Sequence, residues 1–118
     1  MNIQIFGAAK CFDTQKTQRY FKERGIRFQY IDLLKYGMSP GEYQSVRTAV
    51  GGLGALINEK SKAYDSLFIK YLAHESDIEE KLLGNPALFK TPIVRNGKKA
   101  TVGYCPEVWK QWEQADAK

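Results

Sequence analysis

Ile3-Gln4-Ile5-Phe6-Gly7-Ala8-Ala9-Lys10-Cys11-Phe12-Asp13-Thr14 is the stretch on which the reading of this chain turns. Ile3 to Phe6 alternates apolar and polar, then adds a further apolar residue, the pattern of a short, largely buried strand. Gly7 to Cys11 reads as a loop. Asp13 or Thr14 can cap a helix that runs to about Arg24. Thr17, Tyr20, Phe21 and the later Ile26 fall on its buried side, and Gly25 stands where a helix ends on a left-handed residue. Phe28-Gln29-Tyr30-Ile31-Asp32 alternates again. Strand, helix and strand joined by short connections make a βαβ unit with parallel strands.

Beyond this unit the pattern changes. Ser39-Pro40-Gly41-Glu42 is a capping box with proline at the first helical position, which predicts a helix from about Pro40 to Val50. Gly51, Gly52 and Gly54 break it, and Leu53 to Asn58 reads as a short helical turn. Tyr64 to Ala73 is expected to be a further helix, with Leu67, Phe68, Tyr71 and Leu72 on one side. Ser76-Asp77-Ile78-Glu79 is a second capping box, opening a helix to about Leu83. Gly84-Asn85-Pro86 ends it. Residues 39 to 84 thus form a helical block set between two halves of a sheet.

Strands return in the last third. Thr91-Pro92-Ile93-Val94-Arg95 reads as a strand with a proline at its start. Asn96-Gly97 is a hairpin signal in which both turn positions take positive φ, and Lys99 to Val102 pairs back antiparallel. Pro106 opens a terminal helix with Val108, Trp109 and Trp112 facing inward. The order β-α-β, helical block, β-hairpin, α is that of an α/β, thioredoxin-like fold. It has a mixed four-stranded sheet and a helical insertion between the βαβ and ββα halves. The likeness implies a cis bond at Thr91-Pro92.

The chain's 118 residues suit one domain, 1–118. With 43% hydrophobic and 26% charged residues it has an ordinary soluble composition. No apolar run approaches the roughly 18 residues of a membrane span, and the N-terminus lacks the pattern of a signal peptide. A cytoplasmic location without membrane association is the default expectation. The formal charge is +5. Its basic residues are dispersed, with Lys16, Arg19, Lys22, Arg24 and Arg27 early and Lys98 and Lys99 late. They read as solvated helix faces or as a surface for an acidic partner or nucleic acid, and no nucleic-acid motif accompanies them. The lone His74 lies in a charged stretch and reads as a surface residue. The sequence does not offer the four ligands of a structural zinc site.

Two cysteines remain, Cys11 and Cys105, with no CxxC motif. Cys11 follows a βα loop and precedes a helix. A thiolate there meets unpaired N–H groups and the positive end of the helix dipole, and Lys10 adds a positive neighbour. Both effects lower a thiol pKa and make the sulfur a nucleophile and a redox group. The competing reading is a small buried hydrophobe. The small neighbours Gly7, Ala8 and Ala9, in a loop rather than on an apolar face, favour the reactive one.

The chain resembles the ArsC-related branch of the thioredoxin superfamily, which includes glutaredoxin-coupled arsenate reductases and Spx-like transcription regulators. The likeness covers nearly the whole chain. It rests on Ile5 to Cys11, on Lys22-Glu23-Arg24-Gly25-Ile26, on Tyr30-Ile31-Asp32-Leu33, on Ser39-Pro40-Gly41-Glu42, and on Thr91-Pro92-Ile93-Val94 with Val102-Gly103-Tyr104. It makes Cys11 the counterpart of the family's catalytic cysteine. Gly7 falls where these arsenate reductases have a histidine, and Gln15 where they have an arginine. Their three oxyanion-binding arginines fall near Gly54, at Thr91 and at about Cys105. None of those residues replaces the bidentate arginine fork, so the resemblance implies thiol chemistry without efficient arsenate reduction.

That third position places Cys105 as a candidate resolving thiol for Cys11. The alternative is that Cys105 caps a helix and never meets Cys11. Lys16 either stands in for the arginine missing at Gln15 or is a surface lysine. Thr14 either hydrogen-bonds the thiolate or caps the helix. Thr91 and Pro92 are candidates to pair a substrate backbone beside the sulfur, and Phe12 and Tyr104 to flank it. The expected activity is thiol oxidoreduction on a small thiol or disulfide substrate. Nothing is expected to be bound permanently. Glutathione or another small thiol is the expected reductant, and glutaredoxin or thioredoxin a possible protein partner. The alternative is a regulator that binds RNA polymerase, as Spx-type proteins do. Their switch of two cysteines two residues apart is absent here, since Thr14 takes the second position.

Overall fold

The structure, a computed structural model, describes residues 1–116. Its four-stranded sheet has the order β2-β1-β3-β4. Strand β1 (Ile3–Gly7) pairs parallel with β2 (Phe28–Asp32), with Ile5 opposite Tyr30. It also pairs antiparallel with β3 (Ile93–Asn96), which pairs antiparallel with β4 (Lys99–Val102). This is the mixed thioredoxin-like sheet read from the sequence.

The two central strands are buried on both faces, so their side chains divide between two cores. Ile3, Ile5 and Val94 point to one side, where α1 (Phe12–Glu23) and α6 (Pro106–Asp116) supply Tyr20, Phe21, Trp109 and Trp112. Trp109 is fully buried and donates its indole N–H to the Thr101 hydroxyl at 2.9 Å. Its ring lies 5.1 Å from those of both Tyr20 and Phe21. Tyr20 donates its hydroxyl to Glu113 at 2.7 Å; burial and that carboxylate push its pKa up to about 12.

Phe6 and Ile93 point to the other side, under the helical block. That block comprises α2 (Leu33–Tyr36), α3 (Pro40–Val50), α4 (Lys62–Ser66) and α5 (Glu75–Gly84), with 3-10 turns at Leu53–Leu56, Ile69–Tyr71 and Pro86–Leu88. Tyr43, Val46, Leu56, Leu82 and Leu88 fill its core. The capping box on α3 is present in full, with Ser39 and Glu42 exchanging hydrogen bonds at 3.0 and 3.2 Å.

Five local expectations need correction. Helix α1 is capped by Cys11, and Asp13 and Thr14 lie inside its first turn. The helix α2 was not expected; Asp32 opens it by accepting the Leu34 N–H at 3.1 Å. The helix expected over Tyr64 to Ala73 is two short pieces, because Phe68 takes φ 55° and interrupts the ladder. Its expected inward face fails with it, since Phe68 and Tyr71 are exposed. The Ser76 capping box does not form. Helix α5 starts at Glu75 with His74 as its exposed cap residue, and Arg47 of α3 clamps Glu75 and, at 3.7 Å, Glu79. In the hairpin, Asn96 remains in β3 opposite Lys99, and of the two loop residues only Gly97 has positive φ. Glycine at the first loop position is the type II′ arrangement.

Candidate functional site

Cys11 stands where β1 has ended and α1 begins. Its backbone is extended (φ −85°, ψ 118°), its N–H donates to the Ala8 carbonyl at 3.0 Å, and its own carbonyl accepts the Gln15 N–H. The Gln15 side chain donates to the Ala9 carbonyl at 2.9 Å and ties the same loop. Thr14 is fully buried beneath the loop and its hydroxyl accepts the Ala8 N–H at 3.3 Å. Only glycine at position 7 leaves room for this. A Cβ there would lie 2.8 Å from the Thr14 hydroxyl oxygen.

Across the sulfur lies the loop before β3. The Thr91-Pro92 bond is cis, as expected, and Gly103 donates to the Pro92 carbonyl at 2.8 Å. Thr91 offers the sulfur two groups of opposite effect. Its carbonyl, 3.6 Å from Cys11 Sγ, accepts from the protonated thiol. Its hydroxyl donates to the thiolate. Burial of Cys11 acts to raise the pKa. The hydroxyls of Thr91 and Thr14 and the backbone N–H groups of Thr14 and Asp13 outweigh it and hold the thiol below its ordinary value.

Cys11 opens into a cavity of about 730 Å³. Asp13, Asn58, Glu59, Lys60, Lys90 and Thr91 supply its polar wall, and Gly54, Ile57, Val102 and Gly103 are among the rest. No arginine is among the described residues lining it. Lys60 and Lys90 were not singled out in the sequence. They reach the cavity because residue 57 bridges residue 89 across the helical block, which no local pattern signals.

The other candidates fall elsewhere. Lys10 is exposed and off the cavity wall, so the positive neighbour expected from sequence adjacency is not part of the site. Lys16 lies over the Tyr104 ring, 5.0 Å from its centroid, in a separate groove between α1 and α6. Phe12 is 80% exposed, and Tyr104 packs edge-on against Trp109, so neither lines the cavity. Pro92 is buried behind Thr91. Cys105 precedes α6, packs against the aromatic core, and donates its thiol to the Val102 carbonyl at 3.3 Å. Burial pushes its pKa up, partly offset by the Thr101 hydroxyl. Both cysteines are free thiols, and the structure does not bring Cys105 to the wall that Cys11 shares. No group of three or more potential metal ligands occurs among the described residues.

The ArsC family model matches residues 6–112, from the middle of β1 into α6. The chain belongs to the ArsC family. This ArsC-family chain is 30% identical over 108 residues to the global transcriptional regulator Spx 2 of Oceanobacillus iheyensis, covering 88% of this chain and 78% of that one. It is 28% identical over 111 residues to the arsenate reductase of Haemophilus influenzae, covering 91% and 95%. An ArsC family related protein from Bacteroides fragilis has the same fold, with TM-score 0.83, 20% identity and coverage of 94% and 97%. So does an arsenate reductase from Vibrio cholerae, with TM-score 0.82, 23% identity and coverage of 92% and 94%. Of the residues at or near which the resemblance placed arginines, Gly54 and Thr91 lie on the cavity wall, and Cys105 does not.

Proposed function

We propose that this ArsC-family protein is a thiol-dependent oxidoreductase in which Cys11 is the redox-active nucleophile. The supporting observation is one half-buried thiol at a helix N-terminus, held below its ordinary pKa, opening into a cavity large enough for a small disulfide. The Cys11 thiolate attacks one sulfur of a disulfide R–S–S–R′, forms Cys11–S–S–R, and releases R′–S⁻. Glutathione or another small thiol, as thiolate, then displaces Cys11 and leaves with R in a new disulfide. Cys105 is the intramolecular alternative for this step; its thiol would have to leave the Val102 carbonyl. Thr14 and Thr91 support the thiolate. The cavity wall offers lysine in place of arginine, and an ammonium lacks the planar fork that grips an arsenate-like oxyanion bidentately. Efficient arsenate reduction is therefore not the proposed activity.

The test is twofold. Reduction of 2-hydroxyethyl disulfide with glutathione should be measurable and should vanish in Cys11→Ser. Arsenate reduction with glutathione and glutaredoxin should not exceed that of Cys11→Ser. Disulfide turnover that survives Cys11→Ser would overturn the proposal. For the resolving step, mass spectrometry after mild oxidation separates an internal Cys11–Cys105 bond from glutathione adducts, and adducts alone would remove Cys105 from the scheme.

The likeness to an Spx regulator supports a second reading, binding to RNA polymerase. A pull-down with polymerase subunits tests it. Capture that is unaffected by Cys11→Ser would make the protein a binding module rather than an enzyme.

A further inference from the structure

We infer that Lys60 and Lys90 form an anion-selecting subsite of the Cys11 cavity, directed at disulfides whose departing half carries a carboxylate. The inference rests on the thiol chemistry proposed above and names its substrate class.

The two lysines come from segments that the fold laces together. Asn58 donates its N–H to the Leu88 carbonyl and Lys90 its own to the Leu56 carbonyl, each at 2.7 Å, and Ile57 bridges Phe89. Lys60 donates its N–H to the Asn58 side chain at 3.1 Å, which fixes the turn that carries it. The backbones are thus held while both side chains remain in reach of solvent. Among the described residues neither ammonium has an ion-pair partner. Two unpaired cations therefore share one cavity with a sulfur poised to be a thiolate.

Asp13 and Glu59 line the same cavity, so its wall carries no net charge while Cys11 is a thiol and one negative charge once it is a thiolate. Long-range attraction does not select an anion here. Selection comes from contact: a carboxylate reaching Lys60 or Lys90 gains charge-assisted hydrogen bonds. When the Cys11 thiolate forms its bond to R–S, the electron pair of the old S–S bond leaves on R′–S⁻. That charge develops with every disulfide, so discrimination among disulfides comes from the carboxylate's contact with the lysines. Lys60 and Lys90 are specificity residues in this scheme, and Cys11 remains the nucleophile.

Three small disulfides of similar size separate this effect from general reactivity: dianionic 3,3′-dithiodipropionate, neutral 2-hydroxyethyl disulfide and dicationic cystamine. Their second-order rate constants with Cys11 are measured in a Cys105→Ser background, so that Cys11 is the sole thiol, and mass spectrometry locates the adduct. The double variant Lys60→Gln, Lys90→Gln should slow the dianion about tenfold, at about threefold for each solvent-screened contact. The neutral probe should change less than twofold, and cystamine should not slow. Lys60→Arg with Lys90→Arg should keep the preference, and added salt should shrink it. Equal slowing of all three probes, or an unchanged rate with the dianion, would overturn the subsite and leave Cys11 chemistry intact. A parent protein that reacts with none of the three faster than free cysteine would overturn the proposed chemistry and the subsite with it.

Discussion

A cysteine and two threonines set the chemistry at the scale of single residues. Because hydrogen bonds hold the Cys11 pKa down, its alkylation by iodoacetamide should plateau at a lower pH than for free cysteine, whose value is about 8.5. The rate should fall as pH drops through the lowered value. Cys105 is shifted the opposite way, so at neutral pH Cys11 should be modified first, which peptide mapping would show. Thr91→Val removes the hydroxyl and keeps the carbonyl, so it should move the thiolate absorbance midpoint of Cys11 upward. The same linkage bears on stability. A thiol that is more acidic when folded adds stability above its unfolded pKa, and that contribution is lost as pH falls through the folded value. Gly7 is the other decisive residue. Gly7→Ala crowds the Thr14 side chain, and such overpacking costs about 1–3 kcal/mol. A lower urea midpoint and a raised Cys11 pKa in that variant should appear together, because one displaced threonine serves both. This contact also accounts for a glycine where the resemblance to arsenate reductases leads one to expect histidine.

Capping and backbone conformation separate the elements that the sequence foretold from those it did not. Ser39 and Glu42 complete their box because every partner lies within four residues. Ser39→Ala should lower stability by about 1 kcal/mol in denaturant unfolding. The Ser76 box has the same residue spacing and does not form, because Glu75 pairs with Arg47 on another helix and the helix begins two residues earlier, capped at His74. Phe68 shows the same tertiary override. A left-handed residue without glycine costs about 1–2 kcal/mol, and this side chain is 66% exposed. Phe68→Gly relieves that cost and loses little packing, so it should raise the urea midpoint slightly, about 0.5 kcal/mol after the entropy of glycine is set against it. A fall in the midpoint would mean that the phenylalanine ring makes a contact worth more than its backbone cost.

Over the whole molecule, the sheet separates two cores, and one tryptophan anchors the face that carries α1. Trp109 is fully buried among Tyr20 and Phe21 and bonded to Thr101. Trp109→Ala should cost about 3–5 kcal/mol and withdraw support from the helix that Cys11 caps. Chemical denaturation measures the first effect, and the iodoacetamide pH profile of any folded remainder the second.

The sequence by itself determined the succession of strands and helices along the chain, the helices α1 and α3 among them, and the placement of Cys11 at a strand-to-helix junction. These follow from alternation, capping and turn chemistry, which act over a few neighbouring residues. Only the tertiary structure decided what surrounds the sulfur. Lys10, the sequence neighbour, lies off the cavity, whereas Lys60 and Lys90 line it. They come from segments some thirty residues apart that meet through the Ile57–Phe89 bridge. Cys105 likewise turns from the expected approach to Cys11 toward the Val102 carbonyl and the aromatic core. A charge acts through space on a thiolate, and chain adjacency is a poor guide to distance once a helical block folds back over a sheet.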